Sequence, residues 1–77
     1  MITILVVGAG GIGMRHLQSV ATLQQPFECF TIDPSDTSLE RTKQLLDTTA
    51  TASAFHYVHT LDEVPVKADV AVVATSS

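Results

Sequence analysis

The stretch Ile2-Thr3-Ile4-Leu5-Val6-Val7-Gly8-Ala9-Gly10-Gly11-Ile12-Gly13 decides the fold of this chain. It begins with a β-branched, almost continuous apolar run, which is typical of a parallel strand covered on both faces. The run stops at Gly8, and from Ile12 apolar residues recur at helical spacing until Gln24-Gln25-Pro26 ends the pattern. We therefore predict a strand, a glycine turn and a helix in direct succession.

Three further strands are predicted along the chain. Phe27–Ile32 and Phe55–Val58 are short apolar-rich runs, and Ala68–Ala74 is apolar at both alternating sets of positions. Strands that alternate with helical segments indicate βαβ units, a parallel sheet and right-handed connections. The predicted fold class is therefore α/β.

Two helical segments are expected in the connections after the second and third strands. Ser35 or Ser38 can cap the first of these helices. Its apolar stripe is predicted to contain Leu39, Leu46 and Ala50. Thr60-Leu61-Asp62-Glu63 has the form of a capping box, with Thr as the N-cap and Glu three residues on, so a single helical turn is expected there.

Composition and charge exclude several kinds of partner. The 77 residues contain four Lys or Arg against eight Asp or Glu, which gives a net charge of -4. No nucleic acid partner is expected, because a basic footprint is absent, and the scattered cations offer no patch for an anionic membrane. Met1–Val7 is too short to span a bilayer and lacks a basic segment before it, so no membrane segment or signal peptide is expected. Cys29 is the single cysteine and cannot form an internal disulfide, which favours a reduced, cytoplasmic protein.

The glycine-rich stretch carries the chemistry. The motif GxGxxG is formed by Gly8, Ala9, Gly10, Gly11, Ile12 and Gly13. Gly8 can make the tight turn, Gly10 can let a pyrophosphate approach the backbone, and Gly13 can bring the helix close to the sheet. The free N–H groups and the dipole at the helix start would hold the phosphates. The motif predicts a dinucleotide site in a Rossmann-like, doubly wound sheet, and the alternative is a tight turn without a ligand.

Asp33 bears on the identity of the dinucleotide. It follows Gly13 by 20 residues, at the end of the second predicted strand. A carboxylate at this place can accept hydrogen bonds from the two hydroxyls of an adenosine ribose, and it would repel a 2′-phosphate. Asp33-Pro34-Ser35-Asp36 contains no Arg or Lys, so NAD is expected rather than NADP. The alternative is that Asp33 is an ordinary helix or turn cap.

With these motifs the chain resembles the glucose-fructose oxidoreductase, inositol dehydrogenase and MocA (Gfo/Idh/MocA) family. The matching stretches are Val6–His16, Asp33-Pro34, Thr60–Val64 and Ala68–Thr75. The resemblance implies a strand order of 3-2-1-4 and an oxidoreductase that transfers hydride between NAD(P) and a sugar, polyol or related alcohol. It also implies that Pro34, Ala74, Thr75 and Ser76 contribute to the cofactor site.

The chain also departs from that family. Members usually continue with a strand that carries a Glu-Lys-Pro motif and with a second domain that supplies a catalytic Lys and often a His. The 77 residues contain none of this, so no catalytic residue is assigned, and we expect the chain to be the first part of a longer dinucleotide-binding domain. An aliphatic sheet face left without helices is expected to be covered by the missing portion or by self-association.

Two other classes of protein share the glycine loop and the acidic residue. A non-catalytic nucleotide-sensing module usually has a Gly-Asp-Ala-Thr-like turn after the third strand, where this chain has His56–Thr60. An S-adenosylmethionine-binding domain is the other alternative, but the spacing of Gly10 to Gly13 fits a pyrophosphate better.

The remaining reactive side chains have structural interpretations. We expect His16 to pack or hydrogen-bond near the glycine loop. His56 and His59 lack a second pair of ligands, so no metal site is predicted. Cys29 is expected to be a small buried hydrophobe.

Overall fold

A computed structural model describes residues 1–74, which form a parallel β-sheet with helices in its connections. The main elements are β1 (Ile2–Val7), α1 (Gly11–Val20), β2 (Phe27–Ile32), α2 (Asp36–Leu46), β3 (Phe55–Val58) and β4 (Val70–Val73). Short 3₁₀ helices at Ala52–Ala54 and Leu61–Glu63 precede and follow β3. The first three strands have the bounds that the sequence predicts.

The four strands lie in the order β3-β2-β1-β4, and every neighbouring pair is parallel. Ile4 of β1 pairs with Cys29 on one side and with Val70 on the other. The α/β class and the order 3-2-1-4 are thereby confirmed. Because the order reverses at β1, the carboxyl end of β1 lies at the topological switch point, where open α/β sheets bind ligands.

Both helices contribute to one apolar core on a single face of the sheet. The core is formed by Ile4, Val6, Leu17, Phe27, Cys29, Leu46 and Phe55. The rings of Phe27 and Phe55 meet edge to face, with centroids 5.6 Å apart, a favoured aromatic arrangement. Because α1 and α2 each follow a strand of the same parallel pair, their N-termini lie at the same end of the sheet, at the carboxyl ends of β1 and β2.

The central residues on the opposite face of the two middle strands are also buried, which corrects the prediction of an uncovered face. Leu5, Phe30 and Ile32 alternate with the core residues, yet each is only 6% exposed. Residues 59–69 connect β3 at one edge to β4 at the other. A right-handed connection carries them across this second face. The expected exposure is therefore wrong for β1 and β2.

Part of the exposed apolar surface lies on β4, and the rest is spread over Met1, Leu45, Leu61 and Val66. Val70 is 49% exposed and Val73 is 71% exposed, since β4 is an edge strand. The strand is also shorter than the predicted Ala68–Ala74, although Ala74 still donates its N–H to the carbonyl of Val7. At the other end, the Asp69 carboxylate accepts the N–H of Thr3.

Helix α1 ends earlier than the sequence predicts. Its last residue is Val20, whereas the sequence pattern stops only at Gln24-Gln25-Pro26. The hydroxyl of Thr22 donates to the carbonyl of Ser19 at 2.7 Å, and the N–H of Leu23 bonds to the carbonyl of Val20. These contacts satisfy carbonyls that a longer helix would have used.

Helix α2 ends at Leu46, so the prediction that Ala50 lies on its buried stripe is wrong. The hydroxyls of Thr48 and Thr49 donate to the carbonyls of Leu45 and Leu46 and close the helix there. At the other end, Ser35 is the N-cap and accepts the N–H of Ser38. Over residues 1–74, neither helix has the length and apolar character needed to cross a membrane.

Candidate dinucleotide site

The turn after β1 requires glycine at position 8. Gly8 has a φ of 101°, in the left-handed region that side chains rarely occupy. Its N–H donates to the carbonyl of Ile32 at 2.8 Å. The turn is thereby joined to the end of β2, and the first residue of the motif has the role predicted for it.

Gly13 is glycine because α1 passes very close to this turn. A Cβ built on Gly13 would lie 1.8 Å from the carbonyl oxygen of Gly8, far inside van der Waals contact. The same Cβ would lie 3.7 Å from the Cβ of Ala74, which follows β4. Helix α1 therefore packs directly on the glycine turn and beside the end of β4, as the motif predicts.

Gly10 differs from the other two glycines, because nothing in the described structure requires it. Its φ is -73°, which any residue adopts, and a Cβ built on it meets no atom within 4 Å. The residue is the N-cap of α1, yet no side chain caps the helix. The space beside Gly10 is open surface next to the first turn of α1.

Backbone N–H groups are available at this helix start. The N–H of Met14 bonds to the carbonyl of Gly10, and this is the first backbone hydrogen bond of the helix. The N–H groups of the first turn precede that bond and have no partner within the helix. Together with the helix dipole they favour an anion such as a phosphate. Gly11 opens the helix, and the side chain of Ile12 lies outside the described part of the chain.

The carboxylate of Asp33 is held against the glycine loop. Its Oδ2 accepts the N–H of Ala9 at 2.8 Å, and its Oδ1 accepts the N–H of Ser35 at 2.8 Å. The bond to Ser35 is the turn-capping role that the sequence left open. A carboxylate has about four acceptor positions, so each oxygen still has room for one hydrogen bond from a ligand.

The structure brings most of the predicted site residues to one place. Gly8, Ala9, Gly13, Asp33 and Ala74 are joined by the hydrogen bonds and contacts given above. Pro34 lies next to Asp33 and is exposed. The predictions for Thr75 and Ser76 lie outside the described residues.

Sequence reasoning missed Thr42, which also contacts the glycine loop. Thr42 is fully buried on α2, and its hydroxyl donates to the carbonyl of Ala9 at 3.4 Å. The available signal was a hydroxyl residue between the apolar Leu39 and Leu46 at helical spacing. A buried hydroxyl needs a partner, and the pattern alone does not say which one.

Of two histidines in this region, His59 follows the carboxyl end of β3, and His56 is the second residue of that strand. The ring of His59 contacts the carboxylate of Asp36 at the start of α2, and this hydrogen bond raises the pKa of His59. His56 stacks on Phe30, with ring centroids 4.8 Å apart, and lies 3.7 Å from the Glu28 carboxylate. These contacts give both histidines structural partners.

Cys29 is fully buried in β2, and burial raises the pKa of its thiol to about 12. A thiol of this kind is not a nucleophile near neutral pH, which agrees with its predicted role as a small hydrophobe.

His16 is exposed on α1. Within the described part of the chain, no three His, Cys, Asp or Glu side chains form a group that could hold a metal ion.

The fold and the described residues define an α/β protein with a Rossmann-like parallel sheet and a glycine turn at its switch point. No family model, no curated protein and no solved structure matches the chain.

Proposed function

We propose that this chain is the NAD-binding part of an oxidoreductase similar to the Gfo/Idh/MocA family. The enzyme would transfer hydride between the nicotinamide cofactor and a sugar, polyol or related alcohol. The proposal combines the sequence resemblance with the geometry around the glycine turn. The chain's own residues would bind and orient the dinucleotide, and no catalytic residue is assigned to them.

The observation that carries the proposal is the open space beside Gly10. Glycine is required at Gly8 by its positive φ and at Gly13 by the contact with the Gly8 carbonyl. At Gly10 neither reason applies. A group that must approach this backbone closely explains the absence of a side chain there, and a pyrophosphate on the first turn of α1 is such a group.

The residues present fit a dinucleotide at both of its characteristic contacts. First-turn N–H groups of α1 can donate to the phosphates. The two free acceptor positions of Asp33, one on each oxygen, match the two hydroxyls of an adenosine ribose. When bound, NAD supplies the hydride acceptor. The protein's part is to fix the phosphates and the ribose relative to each other.

The carboxylate of Asp33 favours NAD over NADP. Its oxygens are already oriented by the N–H groups of Ala9 and Ser35, so the carboxylate cannot turn away without losing those bonds. A 2′-phosphate would meet this negative charge directly. We therefore propose NAD as the cofactor.

Calorimetric titration of the chain with NAD, NADP and S-adenosylmethionine tests the proposal. We expect NAD to bind most tightly. Gly10→Ala should weaken NAD binding about tenfold or more, equivalent to about 1.4 kcal/mol or more, because the new methyl group occupies the space beside α1. Its free energy of unfolding should stay within about 1 kcal/mol of wild type. Tighter binding of S-adenosylmethionine, or unchanged NAD affinity in Gly10→Ala, would contradict the proposal.

Asp33→Ala tests the ribose contact separately. The substitution also frees the N–H groups of Ala9 and Ser35, so some affinity for both cofactors will be lost. The binding free energy of NAD should weaken by about 1.5 to 3 kcal/mol, because its charged hydrogen bonds to the carboxylate are lost. The binding free energy of NADP should weaken less, because removing the carboxylate also removes repulsion of the 2′-phosphate. An equal loss for the two cofactors would rule out the ribose contact.

A further inference from the structure

We propose that Thr42 is a positioning residue of the dinucleotide site, an inference that rests on the proposed function. Thr42 lies on the buried stripe of α2 between Leu39 and Leu46 and is fully buried. Its hydroxyl donates to the Ala9 carbonyl, with the two oxygens 3.4 Å apart and the two residues 33 positions apart in the chain. The hydroxyl therefore serves a tertiary contact with the glycine loop.

Both backbone groups of Ala9 are held by the second βα unit, formed by β2 and α2. Its N–H donates to the carboxylate of Asp33 at 2.8 Å, and its carbonyl accepts the hydroxyl of Thr42. Ala9 is only 2% exposed, so water has little access to replace either bond. The preceding N–H, from Gly8, bonds to the carbonyl of Ile32 in β2.

These contacts fix the phosphate-binding part of the site relative to the ribose-binding part. The phosphates would bind at the glycine loop, and the ribose would bind at Asp33. One ligand must reach both, so its affinity depends on their spacing. Without the Thr42 hydroxyl, the Ala9 carbonyl loses a buried partner, and the peptide group between Ala9 and Gly10, which carries this carbonyl, is free to turn. We expect affinity to fall while the sheet and its core persist.

Thr42→Val and Thr42→Ser form the central pair of variants. Valine matches threonine in shape but lacks the hydroxyl, and serine retains it. Thr51→Val is the matched control, because the Thr51 hydroxyl donates to the Ala21 carbonyl at 3.1 Å, beyond the far end of α1 from the glycine loop. Thr42→Ala serves as a second hydroxyl-free variant should Thr42→Val fail to fold.

Two measurements are made on the full chain. Amide hydrogen exchange of Ala9, followed by NMR without ligand, reports how firmly the backbone at Ala9 is held, since its N–H bonds to Asp33. Calorimetric titration with NAD reports the dissociation constant. In Thr42→Val we expect about tenfold faster exchange at Ala9 and about three- to tenfold weaker NAD binding, the range expected for one hydrogen bond. Thr42→Ser should restore both values towards wild type, and Thr51→Val should change neither.

The outcomes separate this inference from the proposed function. Unchanged Ala9 exchange in Thr42→Val would overturn the positioning role, as would an equal loss of affinity in Thr42→Val, Thr42→Ser and Thr51→Val. A wild-type chain that binds no NAD would overturn the proposed function. Faster Ala9 exchange in Thr42→Val would in that case still support the anchoring of Ala9 by Thr42.

Discussion

Two glycines of the motif meet different physical requirements of the fold, whereas nothing in the described structure requires the third, Gly10. Gly8 provides a positive φ, Gly13 allows α1 to contact the turn, and Gly10 leaves a surface open. The sequence predicts these roles from the order of the residues alone. The structure gives a backbone angle for the role of Gly8 and an interatomic distance for that of Gly13, whereas the approach of a pyrophosphate at Gly10 stays a prediction.

Gly13→Ala should damage the fold. Its Cβ would lie 1.8 Å from the Gly8 carbonyl oxygen, so the backbone of the turn or of α1 must move. Overpacking of this kind costs about 1 to 3 kcal/mol and occasionally more. Urea unfolding of the variant measures the loss.

Gly10→Ala is the matched control for that measurement, because the same methyl group meets no atom within 4 Å there. Gly13→Ala should be less stable than wild type, and Gly10→Ala should be about as stable as wild type. Equal stability of Gly13→Ala and wild type would show that the close contact is not maintained in solution.

At the scale of elements, the loops after β2 and β3 are joined by charged side chains. His59, just after β3, contacts Asp36 in the first turn of α2. The carboxylate of Glu63 accepts the N–H groups of His59 and Thr60, which closes the predicted capping box from the glutamate side. These bonds lower the pKa of Glu63. The two loops are therefore connected at the edge of the sheet that carries Asp33.

The His59 contact predicts a pH dependence of stability. Asp36 raises the pKa of His59 above its ordinary value of 6.5. The stabilising contribution is therefore fully present below pH 6.5 and is lost as the pH rises through the raised folded-state pKa. As the pH is raised from 5.5 to 8.5, urea unfolding should show the free energy of unfolding of the wild type falling relative to that of His59→Gln.

Asp36→Asn provides the control for that pH profile. It retains His59 but removes the carboxylate whose hydrogen bond and charge are the largest causes of the raised pKa of the histidine, with Glu63 contributing less. Its profile should therefore resemble that of His59→Gln. A wild-type profile that runs parallel to both variants would mean that the contact has no influence on folding.

At the scale of the whole molecule, coverage of the sheet is uneven. The radius of gyration is 11.1 Å, close to the value of about 11 to 12 Å expected for a compact chain of this length. Both faces of the middle strands are buried, whereas β4 exposes Val70 and Val73 at the edge. Exposed apolar edge strands are prone to pair with other chains. The expected self-association therefore becomes a prediction about β4.

Analytical ultracentrifugation over a range of concentrations tests this prediction. We expect the wild-type chain to associate as concentration rises and Val73→Lys to remain monomeric, because Val73 is 71% exposed and a lysine charge opposes strand pairing. The free energy of unfolding of Val73→Lys at low concentration should match wild type, since the side chain is outside the core. A wild type that sediments as a monomer at all concentrations would exclude association through β4.

Much of the architecture can be predicted from the sequence, because its signals are local in the chain. Apolar runs, helical spacing and the glycine turn specify the order of the elements, and right-handed connections restrict how they assemble. The bounds of the first three strands and the position of Asp33 at the end of β2 are predicted in this way. Helix ends were missed where threonine hydroxyls bond to the last carbonyls, as Thr48 and Thr49 do in α2.

The sequence by itself determined a parallel α/β sheet, with a glycine turn after β1 and a carboxylate after β2. Only the tertiary structure decided that Ala9 is held by Asp33, 24 positions away, and by Thr42, 33 positions away. It also decided that the middle of the second sheet face is buried and that β4 is left exposed. The physical reason is that periodicity and turn chemistry act over a few neighbouring residues, whereas these contacts depend on where separate βα units pack in space.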